Sequence, residues 1–152
     1  GYSEQPRLRR LQYAVGWGTL GFALPAAIGP ASVGIPTLAV CGDGGPMFAL
    51  GELATYAQES LPITLLIVDD GGYGMLREYM TGAFGQATAT ELARPDFVSL
   101  ATSFGVPAHL ATLDNVGEVV AGTFTTRGPA VVVLPALLHM FAPTHVQGAD
   151  HG

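Results

Sequence analysis

Residues 63–75 read ITLLIVDDGGYGM, a continuous apolar run that stops at two adjacent carboxylates and a cluster of glycines. An apolar run of this length, bounded by turn-forming residues, is typical of a strand that is buried on both faces. Ionised acids are costly to hold away from water, and adjacent like charges repel each other. Asp69 and Asp70 at the end of this strand therefore suggest a site where a bound cation offsets their charge.

A second cluster of acid and glycine follows another short apolar run. Residues 36–41 (PTLAVC) are predicted to form a buried strand that ends at GDGG, residues 42–45. A helix is predicted from Pro46 through about Ser60. A third buried strand is predicted at residues 130–134 (AVVVL). Buried strands that alternate with helices predict an α/β fold with three α/β/α layers and a mainly parallel sheet.

The rest of the chain is interpreted in the same way. The sequence indicates an Ala-rich helix with Pro25 near its first turn, a short helix over residues 75–80, a loop over residues 81–94, a helix from Pro95 to Phe104 and a helix over residues 114–125. Its 152 residues are enough for one domain with a core, and no repeat is evident, so residues 1–152 are predicted to form a single domain.

The composition argues against several classes of protein. Apolar residues make up 49% of the chain and charged residues 12%, which favours a large buried surface, within the chain or against a partner. The net charge of −6 offers no basic face for nucleic acid. No apolar run reaches the roughly 18–20 residues of a membrane span, and no signal peptide is visible. Cys41 is the only cysteine in the sequence, so no internal disulfide can form, and we expect a reducing, cytoplasmic compartment.

One interpretation of the glycines is a dinucleotide-binding site. Residues 16–21 (GWGTLG) spell G-x-G-x-x-G, and Asp43 follows at the end of the next predicted strand. That motif also needs a hydrophobic strand before its first glycine, whereas residues 7–15 read RLRRLQYAV. It also leaves the acids at 69–70 without a role, so the sequence disfavours this alternative.

A magnesium and diphosphate site accounts for both clusters. Asp43 and Asp70 are 27 residues apart, with a helix and a strand between them. The carboxyl ends of two parallel neighbouring strands meet at one edge of a sheet, where ligands bind. Mg²⁺ prefers a few protein oxygens together with phosphate oxygens, and glycines leave backbone N–H groups free to approach phosphate. The helix predicted to start at Pro46 would point its positive end at the same place.

These motifs resemble those of the thiamine diphosphate enzymes, specifically the diphosphate-binding domain of the acetolactate synthase and 2-oxoacid decarboxylase superfamily. The signature of that family is GDG followed, roughly two dozen residues later, by Asn-Asn. Here GDG at 42–44 precedes Asp69-Asp70. Further stretches that resemble family landmarks are GFALPAAIG at 21–29, ELAT at 52–55, PDF at 95–97 and GPA at 128–130. The resemblance covers about residues 14–134.

The resemblance implies a role for individual positions. The Mg²⁺ ligands would be the side chains of Asp43 and Asp70 and the carbonyl of Gly72. The residues implied to bind the cofactor are Gly18, Leu20, Gly44, Gly45, Tyr73, Gly74 and Met75. Among these, Gly18 would accept a hydrogen bond from the aminopyrimidine, and Leu20 would be the wedge that bends the cofactor.

Three positions depart from the family pattern. Asp69-Asp70 replaces Asn-Asn, which adds charge beside an anionic diphosphate. Gly45 stands where the family often has Ser, so a hydroxyl contact is lost. Leu76 stands where pyruvate decarboxylases carry a catalytic Glu, and the stretch from Gly74 to Leu76 looks more like that of acetolactate synthases.

The family also needs a glutamate that activates the cofactor from a separate pyrimidine-binding domain. No such domain is present in these 152 residues, and Glu52 is expected to be structural, so no catalytic residue is assigned here. The resemblance implies a partner domain or subunit that supplies this Glu, and a homo-oligomer. The expected activity is decarboxylation of a 2-oxoacid and transfer of the resulting carbanion to an acceptor. The alternatives are a benzoylformate-type decarboxylase domain and a catalytically incomplete cofactor-binding module.

Overall fold

The computed structural model describes residues 10–14 and 19–137 of the chain. Its elements, in chain order, are α1 (Ala23–Ser32), β1 (Thr37–Gly42), a 3₁₀ turn (Pro46–Phe48), α2 (Glu52–Gln58), β2 (Ile63–Asp69), α3 (Gly74–Phe84), α4 (Phe97–Ser103), β3 (Ala108–Leu110), α5 (Val116–Thr123) and β4 (Ala130–Pro135). Strands and helices alternate along most of the chain, as the sequence predicts.

The four strands form one sheet in the order β1-β2-β4-β3, and every pair of neighbours is parallel. β2 lies in the interior of the sheet, paired with β1 on one side and β4 on the other. A parallel sheet brings all its carboxyl ends to one edge. The prediction of an α/β fold with a parallel sheet is therefore confirmed.

The core lies between the sheet and its helices. Ile63, Leu65 and Ile67 of β2 are at most 2% exposed, which explains why this strand is a continuous apolar run. α1 packs against β1 and β2, α4 against β3 and β4, and α5 against β4 and β2. Tyr56 of α2 is fully buried, and its hydroxyl donates a hydrogen bond of 2.7 Å to the carbonyl of Leu24 in α1. None of the helices in the described part of the chain is long and apolar enough to cross a bilayer.

The continuous helix predicted from Pro46 through Ser60 is wrong. Only a three-residue 3₁₀ turn begins at Pro46, and α2 begins at Glu52. The chain leaves helical geometry at Ala49, whose φ is −145°. Gly51 follows within the same interruption, and glycine is a poor helix former because it loses the most backbone freedom on folding.

Three further elements differ from the prediction. β1 is a strand, as predicted, but it lies at the edge of the sheet and is not buried on both faces, since Leu38 is 45% and Val40 is 53% exposed. α3 extends to Phe84 and takes in residues predicted as a loop, and none of its residues is buried. Without a buried stripe, the apolar periodicity that indicates the length of a helix is missing. β3 was not predicted, because its three residues, with the polar His109 in the middle, are too few to show a strand pattern.

Candidate metal and diphosphate site

The register of the sheet brings the two acid loops together. Gly42, the last residue of β1, pairs with Val68 of β2. The next residue, Asp43, donates its backbone N–H to the Val68 carbonyl at 3.0 Å. Asp69 and Asp70 directly follow Val68, so all three carboxylates lie at the same edge of the sheet.

Asp43 is the most deeply buried of the acids, with no exposed surface. Burial raises the pKa of Asp43 to about 6, and the negative charges of Asp70 and Asp69 add to the rise, while Arg94 opposes it. Asp70 and Asp43 thus lie close enough to repel each other. A divalent cation between them would favour the ionised forms that this environment disfavours.

Two carboxylate oxygens in this cluster have no hydrogen-bond partner among the described residues. They are Oδ2 of Asp43 and Oδ1 of Asp70, and both are buried. Buried acceptors without a partner are rare in folded proteins, and a bound ion often satisfies them. No three His, Cys, Asp or Glu side chains in the described ranges are arranged to hold a metal together. Mg²⁺ does not need such a cluster, because it is usually held by one or two carboxylates together with phosphate and water oxygens.

Glycine is required at several positions around these acids. A Cβ at Gly44 would lie 2.7 Å from the ring of Tyr73, so the two loops pack directly on each other. Gly72 has a φ of +140°, and a Cβ there would collide with the Thr90 carbonyl. A Cβ at Gly74 would collide with the carboxylate of Asp70. Because glycine has no side chain, these three positions leave space for the ring of Tyr73, the Thr90 carbonyl and the carboxylate of Asp70.

Several backbone N–H groups that the resemblance assigns to the diphosphate already have partners within the chain. Gly44 N–H donates to Oδ1 of Asp43 at 3.0 Å, and Gly45 N–H donates to the Gly42 carbonyl at 3.2 Å. Tyr73 N–H donates to the Thr90 carbonyl at 2.8 Å. These donors would have to exchange partners before they could bind phosphate.

The helix end that lies at the site is that of α3 rather than a helix starting at Pro46. α3 begins at Gly74 and has 11 residues, whereas the 3₁₀ turn at Pro46 has three. The first N–H groups of a helix have no partner within the helix and favour anions. The sequence predicts a short helix over residues 75–80, but it does not indicate that the first turn of this helix lies at the ligand site.

Two arginines that the sequence motifs did not point to complete the cluster. The guanidinium of Arg94 forms an ion pair with Asp69 and lies 3.7 Å from Oδ2 of Asp43. Arg77 pairs with Glu91 at 2.8 Å and donates to the Asp70 carbonyl at 3.4 Å. The scarcity of cationic side chains could have indicated these residues. The chain has six lysine and arginine residues in all, every one an arginine, and only three of them lie beyond residue 10. Two of those three contact the acid loops.

The remaining predicted positions lie on the surface or outside the described ranges. Leu20 is 47% exposed and Met75 is 62% exposed, so both can meet a ligand or a partner surface. Gly18 lies outside the described residues. Glu52 accepts a hydrogen bond from the Thr55 hydroxyl at 3.2 Å within α2, consistent with the structural role predicted for it.

An open depression of about 490 Å³ lies beside the acids, lined by Asp69, Asp70, Gly71, Arg94 and residues 135–137. A second cavity of about 500 Å³ lies at the opposite edge of the sheet, lined in part by Thr64 and Thr123. The first is the better candidate for a ligand site, because it contains the charged groups and lies at the carboxyl ends of the strands.

Fold and geometry together define an α/β domain with a candidate ligand site at the carboxyl edge of its sheet. The chain belongs to the family described as thiamine pyrophosphate enzyme, C-terminal TPP binding domain, whose model matches residues 2–134. Thiamine diphosphate (thiamine pyrophosphate) is accordingly the cofactor of this domain, and Mg²⁺ is the usual partner metal in the family.

The relatives include large subunits of acetolactate synthase. The chain is 33% identical over 122 residues to acetolactate synthase isozyme 2 large subunit of Escherichia coli (strain K12), a match that covers 75% of this chain and 22% of the relative. It is 35% identical over 130 residues to a probable acetolactate synthase large subunit of Methanocaldococcus jannaschii, covering 80% of this chain and 22% of the relative. The chain thus spans about a fifth of the length of these relatives.

Solved structures are similar as well. A thiamine diphosphate-dependent 4-hydroxybenzoylformate decarboxylase of Rhodococcus jostii RHA1 superimposes with a TM-score of 0.72 at 27% identity, covering 80% of this chain and 24% of that one. A benzoylformate decarboxylase of Polynucleobacter necessarius has a TM-score of 0.71 at 22% identity, covering 82% of this chain and 25% of that one, and supports the fold alone.

Proposed function

We propose that this chain is the part of an acetolactate synthase-like enzyme that binds Mg²⁺ and the diphosphate of thiamine diphosphate. The parent enzyme would decarboxylate a 2-oxoacid and transfer the remaining fragment to an acceptor. The observation that carries the proposal is that two buried carboxylate oxygens at the ends of adjacent strands, one from Asp43 and one from Asp70, have no hydrogen-bond partner among the described residues. Similarity to acetolactate synthase large subunits favours this activity over simple decarboxylation.

In this proposal the acids hold the metal, and the surrounding backbone holds the anion. Asp43 and Asp70 supply charged oxygens, and the carbonyl of Gly72 is the third protein ligand. The cofactor-binding set is Gly18, Leu20, Gly44, Gly45, Tyr73, Gly74 and Met75. The first turn of α3, which begins at Gly74, adds N–H groups that favour the diphosphate. When bound, thiamine diphosphate supplies a ring that accepts the electron pair released by decarboxylation.

The activating glutamate would come from a pyrimidine-binding domain or subunit, and residues 1–152 would form a single diphosphate-binding domain. Apolar side chains on α3 are exposed, among them Met75 at 62%, Leu76 at 52% and Tyr79 at 50%. An exposed apolar surface of this kind suits a contact with that domain in a homo-oligomer. The compartment we propose is the cytoplasm, where Cys41 stays reduced.

A melting experiment tests the cofactor site. The full chain is unfolded thermally with thiamine diphosphate and Mg²⁺ together, with each alone, and with NAD. A ligand that binds only the folded state at about 100 times its Kd stabilises it by about 2.7 kcal/mol. We expect a rise in Tm with thiamine diphosphate and Mg²⁺ together. A rise with NAD and none with thiamine diphosphate would favour the dinucleotide alternative.

A second candidate is a decarboxylase of the benzoylformate type, which the similarity to the Rhodococcus jostii structure supports. The two are separated by mixing the chain with the remaining domain of its parent enzyme. Consumption of pyruvate with formation of a coupled product supports the synthase. Consumption of an aromatic 2-oxoacid with release of the aldehyde supports the decarboxylase. No turnover of any 2-oxoacid supports a cofactor-binding module without catalysis.

A further inference from the structure

Three carboxylates, those of Asp43, Asp69 and Asp70, lie at the edge of the sheet where the metal is proposed to bind, and the guanidinium of Arg94 contacts two of them. The side chain of Asp43 has no exposed surface, while that of Arg94 is 34% exposed. The guanidinium therefore approaches the buried acid from the open depression that Arg94 also lines.

The two contacts of Arg94 are not equivalent. Its Nη1 forms an ion pair with Oδ1 of Asp69. Its Nε lies 3.7 Å from Oδ2 of Asp43, too far for a hydrogen bond, and this oxygen has no other hydrogen-bond partner among the described residues. Arg94 is thus paired directly with Asp69, whereas its contact with Asp43 is a longer electrostatic one without a hydrogen bond.

We propose that Arg94 is a positioning residue that neutralises Asp69 and covers Asp43 until a divalent cation takes the guanidinium's place. The Asp69–Arg94 pair is then close to neutral, so that Asp69 does not repel the diphosphate. This inference rests on the proposed function and explains how an Asp-Asp pair serves at this site. The fixed start of α4, where Asp96 accepts backbone hydrogen bonds from Val98 and Ser99, anchors the chain two residues after Arg94.

The proposal predicts that a single variant, Arg94→Gln, changes the affinity for the metal and the affinity for the cofactor in opposite directions. In Arg94→Gln, Asp43 loses its competing cation, so Mn²⁺ alone should bind more tightly, by roughly three- to tenfold. Asp69 loses its counter-ion, so thiamine diphosphate at saturating Mg²⁺ should bind more weakly, by a similar factor. A residue with a merely structural role would change both affinities in the same direction.

The measurements use the full chain, with free Mn²⁺ followed by electron paramagnetic resonance and thiamine diphosphate by calorimetry. Asp69→Asn combined with Arg94→Gln should return the cofactor affinity to within about twofold of the unmodified chain. Arg127→Gln is the matched control, since it removes an exposed arginine near the opposite edge of the sheet and should change neither affinity.

A second comparison keeps the test decisive if Arg94→Gln alone does not fold. Asp69→Asn frees Arg94 to pair with Asp43, so Mn²⁺ should bind more tightly to the double variant than to Asp69→Asn. Equal Mn²⁺ affinities in this comparison, or parallel changes in Arg94→Gln, would overturn the role of Arg94 alone. Failure of the unmodified chain to bind either Mn²⁺ or thiamine diphosphate would overturn the site itself and this inference with it.

Discussion

The two acid loops at the carboxyl edge of the sheet are held in different ways. The first, residues 42–45, continues the ladder of β1: Asp43 N–H bonds to the Val68 carbonyl, and none of its residues has a positive φ. The second, residues 69–74, contains Gly71 and Gly72 at φ of +99° and +140°. It is fixed by a distant segment, since Gly72 forms an isolated bridge with Glu91 and Tyr73 N–H bonds to the Thr90 carbonyl.

One half of the candidate site is therefore built by the sheet and the other half by residues 90–94. The backbone of the first loop is set by the pairing of β1 with β2. The second needs a segment that the sequence presents as an ordinary polar loop. Changes in the first loop should affect ligand binding more than folding, whereas changes in the second should affect both.

The strongest loss should be that of ligand binding in Asp43→Ala. Removal of the most buried carboxylate should abolish the stabilisation by thiamine diphosphate and Mg²⁺ measured as a shift in Tm. The fold should survive, because the change removes a charge that its surroundings disfavour. Asp114→Ala, at an exposed acid between β3 and α5, is the control and should keep the full shift. An unchanged shift in Asp43→Ala would mean that the metal binds elsewhere.

The next strongest loss should be that of stability in Gly72→Ala. Alanine is strained at φ of +140°, and its Cβ would collide with the Thr90 carbonyl, so we expect a loss of about 1–3 kcal/mol or more in the free energy of unfolding. Gly45→Ala in the first loop should cost less, since its Cβ would lie 3.4 Å from the nearest atom.

Urea unfolding of both variants measures the contrast between the loops. Gly82→Ala on α3 is a control, because a Cβ there meets nothing within 4 Å and should stabilise the helix by about 0.5–1 kcal/mol. Equal losses in Gly72→Ala and Gly45→Ala would contradict the contrast between a sheet-built loop and one held by residues 90–94.

A smaller effect should reveal how tightly the loops pack on each other. Gly44→Ala forces the ring of Tyr73 to move, because the new Cβ would lie 2.7 Å from it. Tyr73→Ala makes room, so the double variant should be more stable than the sum of the single changes predicts, by about 1 kcal/mol. Strict additivity in urea unfolding would show that the ring of Tyr73 moves aside without cost.

The weakest effect should come from Asp96→Ala, which removes the cap of α4 outside the loops. Hydrogen bonds from Ser99 and Val98 lower the pKa of Asp96, so its folded pKa lies below its unfolded pKa. Its contribution to stability is then complete above the ordinary range of an aspartate, near 4, and is lost as the pH falls through the lowered folded value. The Tm of the variant should be lower at pH 7, and the difference should shrink in acid. A difference that is constant with pH would contradict the assigned hydrogen bonds.

The positions of three strands and the placement of the acids could be predicted from the sequence because both follow from strong local rules. β1, β2 and β4 are continuous apolar runs, and parallel strands bring their carboxyl ends together. These two rules are enough to predict that Asp43 lies beside the end of β2. The burial predicted for β1 is wrong, because β1 lies at the edge of the sheet with Leu38 and Val40 exposed. The roles of individual ligands remain predictions.

What the sequence did not reveal depends on contacts between distant residues or on missing periodicity. The role of Arg94 comes from an ion pair across 25 positions, which no spacing rule indicates. The full length of α3 is hidden because no residue of this helix is buried. The break after Phe48 reflects the backbone at Ala49 rather than any proline or charge.

The strand order also matters for the chain as it is synthesised. Both acid loops and Arg94 leave the ribosome before residues 130–135, which form β4 and pair with one side of β2. If β2 forms before β4, its free edge, rich in isoleucine and leucine, would be of the kind that templates aggregation. Charges beside an open edge oppose pairing with other chains, so Asp69 and Asp70 at the tip of β2 would disfavour such aggregation.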